Sequence, residues 1–143
     1  MKAHFGVDSQ SKLIHSVAAT PANVHDSQAL PWLLHGRERR VWGDSAYTAQ
    51  RAMLHACAPH ARDFTHRKAG RDRSLSRTER ATNRWKSRVR AKVEHPIGVI
   101  KRVFGFTKVC YRGLAKNTHR LVVACALANL FIARKHVLRM QAA

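Results

Sequence analysis

The sequence is poor in acidic residues. It has 8 Asp and Glu against 27 Lys and Arg, which gives a formal net charge of +19 over 143 residues. A surface with such an excess of positive charge attracts polyanions through electrostatic steering and counterion release. Charge alone therefore fits DNA, RNA and an anionic membrane equally, and other features have to choose among them.

Cysteines and long apolar runs are also scarce. The 3 cysteines, Cys57, Cys110 and Cys125, are odd in number and have no Cys-x-x-Cys spacing, which excludes a disulfide framework and predicts small core residues in a reducing compartment. The longest apolar run, Leu121–Ile132, has 12 residues and is shorter than the roughly 18 to 20 that span a bilayer, so it predicts a buried helix and no membrane. The first residues lack the pattern of a signal peptide, and we expect a cytoplasmic protein.

Apolar residues are plentiful enough for one core. They make up 45% of the chain, and the length suits a single domain, 1–143. Alternation of apolar and polar residues over Lys2–Val7 and again over Leu13–Val17 predicts a β-hairpin with Asp8 in its turn. A short helix capped by Asp26 is expected to follow.

A short buried strand is predicted to end at Asp44, before a helix over Tyr47–Cys57. The order β-β-α-β-α indicates an α/β domain in layers. Residues 62–80 form a basic loop or arm, and the capping-box pair Ser76 and Glu79 predicts a helix from Arg77. Its apolar stripe continues to Phe104, with Gly105 as the expected C-cap and a bend at Pro96. A last helix is predicted from residues 117 or 118 to about 137, buried against the sheet.

Two carboxylates stand in unusual places. Asp44 ends a strand, where α/β folds present functional groups, although it could also simply cap the next helix. Glu94 lies in the most basic helix on one stripe with Arg90 and Lys101, an arrangement that an intrahelical ion-pair ladder would also explain. Oxygen ligands suit Mg²⁺, so both acids are candidates for a metal site, with carboxyl groups on the order of 5 to 10 Å apart. The two basic residues would hold phosphates.

Five sequence motifs follow one another along nearly the whole chain. They are Asn23-Val24-His25-Asp26, Gly43-Asp44-Ser45-Ala46-Tyr47, Val93-Glu94-His95-Pro96, Ile100-Lys101-Arg102-Val103-Phe104-Gly105 and Tyr111-Arg112-Gly113-Leu114-Ala115-Lys116-Asn117. Together they resemble the DDE transposases of bacterial insertion sequences, and the group of insertion sequence five in particular.

The resemblance implies a ribonuclease-H-like mixed sheet with flanking helices. It also implies that Asp44 and Glu94 are the second and third acids of a catalytic triad that binds Mg²⁺ or Mn²⁺, with Arg90 and Lys101 in the basic positions of the signature around the glutamate. A tyrosine that some relatives place three residues before that arginine is replaced by Ser87. No counterpart of the first acid and its strand is found, so we expect an N-terminally incomplete catalytic domain.

The leading hypothesis is an enzyme that cuts and rejoins DNA and is inactive alone because one acid is missing. It would act as a homo-oligomer or pair with the missing N-terminal part. The alternatives are a non-catalytic DNA-binding fragment or regulator of transposition, and an RNA-binding structural protein of ribosomal type. The expected DNA-binding residues are Arg84, Lys86, Arg88, Arg90, Lys92, Lys101 and Arg102.

Overall fold

A computed structural model describes residues 1–70 and 73–141. The chain is mixed α/β and divides into two compact units. The hairpin unit comprises Met1–Asn23 and the chain from Lys92 onward, and the central unit comprises Val24–Ala91. Within the described residues, each unit contains one two-stranded sheet.

The hairpin unit begins with strands β1 (Lys2–Val7) and β2 (Ile14–Thr20), which pair antiparallel as the alternation predicts. Asp8 closes the turn by accepting hydrogen bonds from the backbone N–H and the hydroxyl of Ser11, at 2.7 and 2.6 Å. The hydroxyl bond is the main reason that the pKa of Asp8 is lowered. The structural role predicted for Asp8 is confirmed.

Helices α4 (Glu94–Arg102) and α5 (Leu114–Gln141) complete the hairpin unit. One face of α5 packs on β2 and α4 through a core that includes Ile14, Ile100 and Leu121. The side chain of Asn129 adds two polar ties, because it accepts from the backbone N–H of Ile14 at 2.8 Å and donates to the carbonyl of the same residue at 2.7 Å.

The predicted helix packs against the sheet as expected, but only one of its apolar faces is buried. Large apolar side chains stay exposed along it, among them Val123, Leu127, Leu130 and Leu138. By length and composition Leu114–Met140 could cross a bilayer, a test that core helices of soluble proteins also pass. The 12-residue apolar run therefore underestimated the length of the apolar helix, because α5 extends beyond both ends of that run.

The central unit consists of short elements. After a 3₁₀ helix (Asp26–Ala29) come α1 (Leu30–Leu33), β3 (Arg40–Val41), a second 3₁₀ helix (Ser45–Gln50), α2 (Arg51–Cys57) and β4 (Arg62–Asp63). Strand β4 pairs parallel with β3, and its two residues were not predicted as a strand. The core of this unit is small and centres on Leu30, Val41 and Leu54.

Helix α3 (Arg77–Arg90) ends the central unit and confirms the predicted capping box. The hydroxyl of Ser76 accepts from the backbone N–H of Glu79, and the carboxylate of Glu79 accepts from the backbone N–H of Ser76. The single long helix expected up to Gly105 is wrong, because a 3₁₀ turn at Ala91–Val93 separates α3 from α4. Pro96 explains the break, since it lacks an N–H for the carbonyl four residues earlier and its ring crowds that carbonyl.

Two smaller predictions are also corrected. His25, not Asp26, caps the first 3₁₀ helix, because its imidazole accepts from the backbone N–H of Ser27 while Asp26 occupies the first turn. Cys125 is buried as expected, and burial raises its pKa to about 11, but Cys110 is exposed on a loop. A cysteine in a sequence does not reveal whether the surrounding loop will be covered.

Candidate active site

Asp44 lies where the chain leaves β3, and its two carboxylate oxygens have different partners. The Oδ1 atom accepts from the backbone N–H of Ala46 at 2.9 Å and so caps the 3₁₀ helix that follows. The Oδ2 atom lies 3.3 Å from Nη1 of Arg90, and both side chains are 45% exposed. The capping role that the sequence allowed is therefore real, but it uses one oxygen and leaves the other facing a cation.

Arg90 reaches Asp44 because α3 is tied to the segment that follows β4. The Nζ of Lys86 donates to the carbonyl of Thr65 at 2.7 Å. The side chain of Asn83 donates to the carbonyl of Arg67 at 2.9 Å and accepts from its backbone N–H at 3.1 Å. These ties fix α3 against the segment that follows β4 and place Arg90 beside Asp44.

Three aromatic rings also pack α3 against the segments that follow β3 and β4. Trp42 stacks on Phe64 with ring centroids 4.4 Å apart, and Trp85 of α3 meets both rings edge-on at 5.1 and 5.9 Å. Trp42 directly follows β3 and Phe64 directly follows β4, so the cluster aligns the ends of both strands. Aromatic pairs of this geometry contribute about 0.5 to 1.5 kcal/mol each beyond their burial.

Two further titratable groups adjoin Asp44. The backbone N–H of His66 donates to the carbonyl of Gly43 at 3.1 Å, and its imidazole shares a 3.3 Å hydrogen bond with the hydroxyl of Ser87. Burial, followed by the charge of Arg90, lowers the pKa of His66. Burial, followed by the charge of Asp44, raises the pKa of Tyr47. Both groups are therefore biased toward their neutral forms beside the carboxylate.

Glu94 is the first residue of α4 and is exposed, and it belongs to the hairpin unit. Asp44 belongs to the central unit. The predicted approach of the two carboxyl groups therefore stays a prediction. Within the described residues no group of three or more His, Cys, Asp or Glu side chains is placed to hold a metal ion. The oxygen donors of Asp44 and Glu94 nevertheless have the chemistry that a hard divalent cation prefers.

The expected DNA-binding cations differ in their availability. Arg84, Arg88, Lys101 and Arg102 are exposed. Lys86 is engaged with Thr65 and half-buried, and burial lowers its pKa. The Nζ of Lys92 donates to the carbonyl of Ser9 at 2.9 Å within the hairpin unit. Lys86 and Lys92 thus already have structural partners, whereas the first four are open to solvent.

The basic segment before α3 borders a pocket of about 390 Å³, lined in part by Arg51, Arg67, Lys68, Arg73 and Glu79. The carboxylate of Glu79 receives guanidinium bonds of 3.0 Å from Arg67 and Arg73. The bond from the backbone N–H of Ser76, with those from the arginines, lowers the pKa of Glu79 from 4.5 to about 2. Arg71, predicted as part of this arm, lies outside the described residues.

Residues 1–130 match the family of the transposase DDE domain. The chain belongs to this family. Membership of the transposase family assigns it to DNA transposition in general, with DNA as the partner and divalent metals as the family's usual cofactor. No solved structure matches the chain.

Two residues near Asp44 in this transposase domain were missed as candidates. Tyr47 was read only as part of a motif, and His66 was not considered at all. No pattern in the sequence pointed to His66, because Phe64 is a lone apolar residue between Asp63 and Thr65. A two-residue strand such as β4 is too short for a periodicity to reveal it.

Proposed function

We propose that this chain is part of the catalytic domain of a bacterial insertion-sequence transposase of the insertion sequence five group, with a ribonuclease-H-like core. It would cleave DNA strands and transfer their ends. The observation that carries the proposal is the placement of Asp44 in the turn just after β3, with one carboxylate oxygen fixed by Ala46 and the other held by the exposed Arg90. The ends of strands are where open α/β sheets place their functional groups.

Asp44 and Glu94 would hold Mg²⁺ or Mn²⁺, which when bound would activate the attacking oxygen and stabilise the leaving one. The ion pair between Asp44 and Arg90 orients the carboxylate. Because this pair is partly exposed, the guanidinium can turn to a DNA phosphate at little cost. Lys101, exposed near the end of α4, would bind a second phosphate.

We propose that the first acid of the triad comes from a segment outside these 143 residues. Four of the other carboxylates already have partners within their own units: Asp8, Glu38, Asp63 and Glu79. Asp72 lies outside the described residues. With two acids, the polypeptide would bind DNA but leave the metal without the fixed geometry that an in-line displacement needs.

A complementation assay tests this proposal. The polypeptide alone should give no strand cleavage or transfer in Mg²⁺ or Mn²⁺, and a segment that carries the first acid, in cis or as a separate chain, should restore activity. Glu94→Gln should then abolish it, with a loss of several orders of magnitude. Glu38→Gln removes the same charge and serves as the control that keeps activity. Cleavage by the unsupplemented chain that survives Glu94→Gln would refute the assignment.

The second candidate function is a DNA-binding regulator without chemistry, which the net charge of +19 favours as much as it favours an enzyme. Both functions predict DNA binding with little sequence preference. If about six phosphates are neutralised, log K should fall with log salt at a slope near −5. Arg84→Ala should reduce the slope, whereas Lys86→Ala should chiefly lower stability because Lys86 ties α3 to Thr65. Strand transfer in the complemented protein separates the two functions.

The cellular setting belongs to the same proposal. A chain this basic would reside with the nucleoid in the cytoplasm, and the two ends of an element would be brought together by more than one copy of the protein. Size measurements of the DNA complex test the second point. A complex with one copy on each DNA end and no pairing of ends would contradict it.

A further inference from the structure

The connection between α4 and α5 is exposed and yet held in place. Residues 107–113, called the presented loop below, contain no regular secondary structure, and each of them is exposed to solvent. None of their side chains belongs to the apolar core of the hairpin unit. The order of this segment therefore has to come from polar contacts with its neighbours.

Asn117 supplies most of these contacts. Its side chain is 4% exposed and lies one turn into α5. The amide oxygen accepts from the backbone N–H groups of Cys110 and Tyr111, both at 3.2 Å, and the amide nitrogen donates to the carbonyls of Tyr111 and Gly113 at 2.6 and 2.7 Å. One buried amide thus fixes the backbone on both sides of Tyr111 and Arg112.

Arg120, three residues further along α5, holds the earlier part of the connection. Its guanidinium donates to the carbonyls of Lys108 and Gly105 at 3.2 and 3.3 Å and to the sulfur of Cys110 at 2.7 Å. It also lies over the ring of Phe106, 5.0 Å from the centroid. Gly113 has φ +88, with open space where a Cβ would stand, so the loop turns into α5 through a conformation that favours glycine.

The side chains that this scaffold presents are an aromatic ring and cations. Tyr111 is 54% exposed. Lys108, Arg112 and Lys116 are exposed around it. The sequence has no Asp or Glu after Glu94, so no carboxylate of α5 or of the loop competes for these cations. An exposed aromatic ring with basic side chains nearby matches the way in which proteins bind unpaired nucleotides. The bases stack on aromatic side chains, and the phosphates bind basic ones.

We propose that the presented loop binds an unpaired nucleotide of the DNA, with its base stacked on Tyr111 and its flanking phosphates on Arg112 and Lys116. This inference rests on DNA being the partner in the proposed function. A duplex keeps its bases stacked on one another, so a ring on a loop can reach a base only at a strand end or at an extruded position. Because the backbone is fixed by Asn117 and Arg120 beforehand, little conformational entropy is lost on binding.

Fluorescence anisotropy on the full chain at low salt tests the proposal. Two labelled DNAs are compared, a blunt duplex and the same duplex with an overhang of about three nucleotides. Wild type should prefer the overhang, and Tyr111→Ala should weaken overhang binding about tenfold while changing blunt binding less than about twofold. Tyr111→Phe should keep the preference. Val109→Ala, an exposed change in the same loop, is the matched control and should change neither affinity.

A spectroscopic readout supplements the affinities. With 2-aminopurine at the first unpaired position, stacking should quench its fluorescence in the wild-type complex and in Tyr111→Phe but not in Tyr111→Ala. The proposal is overturned if wild type binds both DNAs alike, or if Tyr111→Ala weakens both equally. If wild type binds no DNA at all, the proposed function fails with it. If the wild type binds DNA but Tyr111→Ala does not selectively weaken binding of the overhang, the proposed function stands and only this inference is refuted.

Discussion

The hairpin unit is built around the long helix α5 and an apolar core, whereas the central unit consists mostly of short elements around a smaller apolar core, with many polar contacts between them. In the hairpin unit, Ile100 and Leu121 are buried between α4, α5 and β2. In the central unit the strands have two residues each, and α3 is joined to the rest by Lys86, Asn83 and the ring of Trp85. Six of the eight carboxylates fall in the central unit.

This difference bears on where chemistry can be placed. Apolar packing is insensitive to direction, while hydrogen bonds and ion pairs fix a group at a set distance and angle. Asp44, Arg90 and His66 lie in the unit whose contacts are directional. The hairpin unit uses the same device where Asn117 binds the loop before α5 and where Asn129 binds the start of β2.

The largest expected effect in this comparison of the two units comes from creating a cavity in the core of the hairpin unit. Leu121 is 1% exposed, so Leu121→Ala should lower the free energy of unfolding by about 2 to 5 kcal/mol. Urea unfolding followed by far-UV circular dichroism, to which α5 contributes strongly, measures the loss. Leu127→Ala on the same helix, at a residue 42% exposed, should cost about 0.5 kcal/mol or less. Equal losses for the two variants would mean that the outer face of α5 is covered in solution.

The counterpart in the central unit is a test of close packing at Gly43. A Cβ there would lie 3.1 Å from Cδ2 of Tyr47 and 3.2 Å from Cγ2 of Thr65. Gly43→Ala should therefore destabilise by about 1 to 3 kcal/mol through overpacking. Trp32, Trp42 and Trp85 all lie in the central unit, so tryptophan fluorescence reports its unfolding.

Gly70→Ala is the matched control for Gly43→Ala. Its Cβ would meet nothing closer than 3.8 Å, and the loss of backbone freedom in the unfolded chain should leave stability unchanged or up to about 1 kcal/mol higher. If Gly43→Ala proves as stable as Gly70→Ala, Tyr47 and Thr65 are not packed against the turn that carries Asp44.

The sequence could predict those features of the structure that depend on residues close together in the chain. Alternation located β1 and β2, and the pair Ser76 and Glu79 located the start of α3, because these patterns depend on neighbours within a few residues. The family could be inferred from motifs in order. The placement of Asp44 after a strand was predicted by the same local reasoning.

Features that depend on distant partners could not be predicted. The apolar stripe from Trp85 to Phe104 looked like one helix face, but Trp85 packs on Trp42 and Phe64 while Phe104 packs in the hairpin unit. Periodicity gives the phase of a helix and not the identity of what covers it. For the same reason the ion pair of Arg90 with Asp44, and the position of His66 beside them, became visible only in three dimensions.

A smaller effect is expected on the stability at acid pH, where one carboxylate from each unit can be compared. The pKa of Glu79 is lowered from 4.5 to about 2, so the stabilisation it provides is complete above pH 4.5 and is lost as the pH falls toward 2. Glu79→Gln should flatten the fall of the melting temperature across this interval, read by tryptophan fluorescence. Asp8, whose pKa is also lowered, allows the same test in the hairpin unit with Asp8→Asn. A wild-type acid profile unchanged by Glu79→Gln would contradict the capping-box assignment.

The smallest expected change in stability is at the ion pair of the candidate site. Arg90 and Asp44 are both 45% exposed, so Arg90→Ala should cost at most about 1 kcal/mol. The slope of log K against log salt for DNA binding should become shallower by about 0.9, because one phosphate contact is lost. Arg88→Ala, which removes an exposed cation two residues earlier on α3, should change the slope as much but leave strand transfer by the complemented protein intact, whereas Arg90→Ala should reduce transfer. If Arg90→Ala unfolds the central unit, the pair is a structural support; if the two variants transfer strands equally well, Arg90 has no special relation to the chemistry at Asp44.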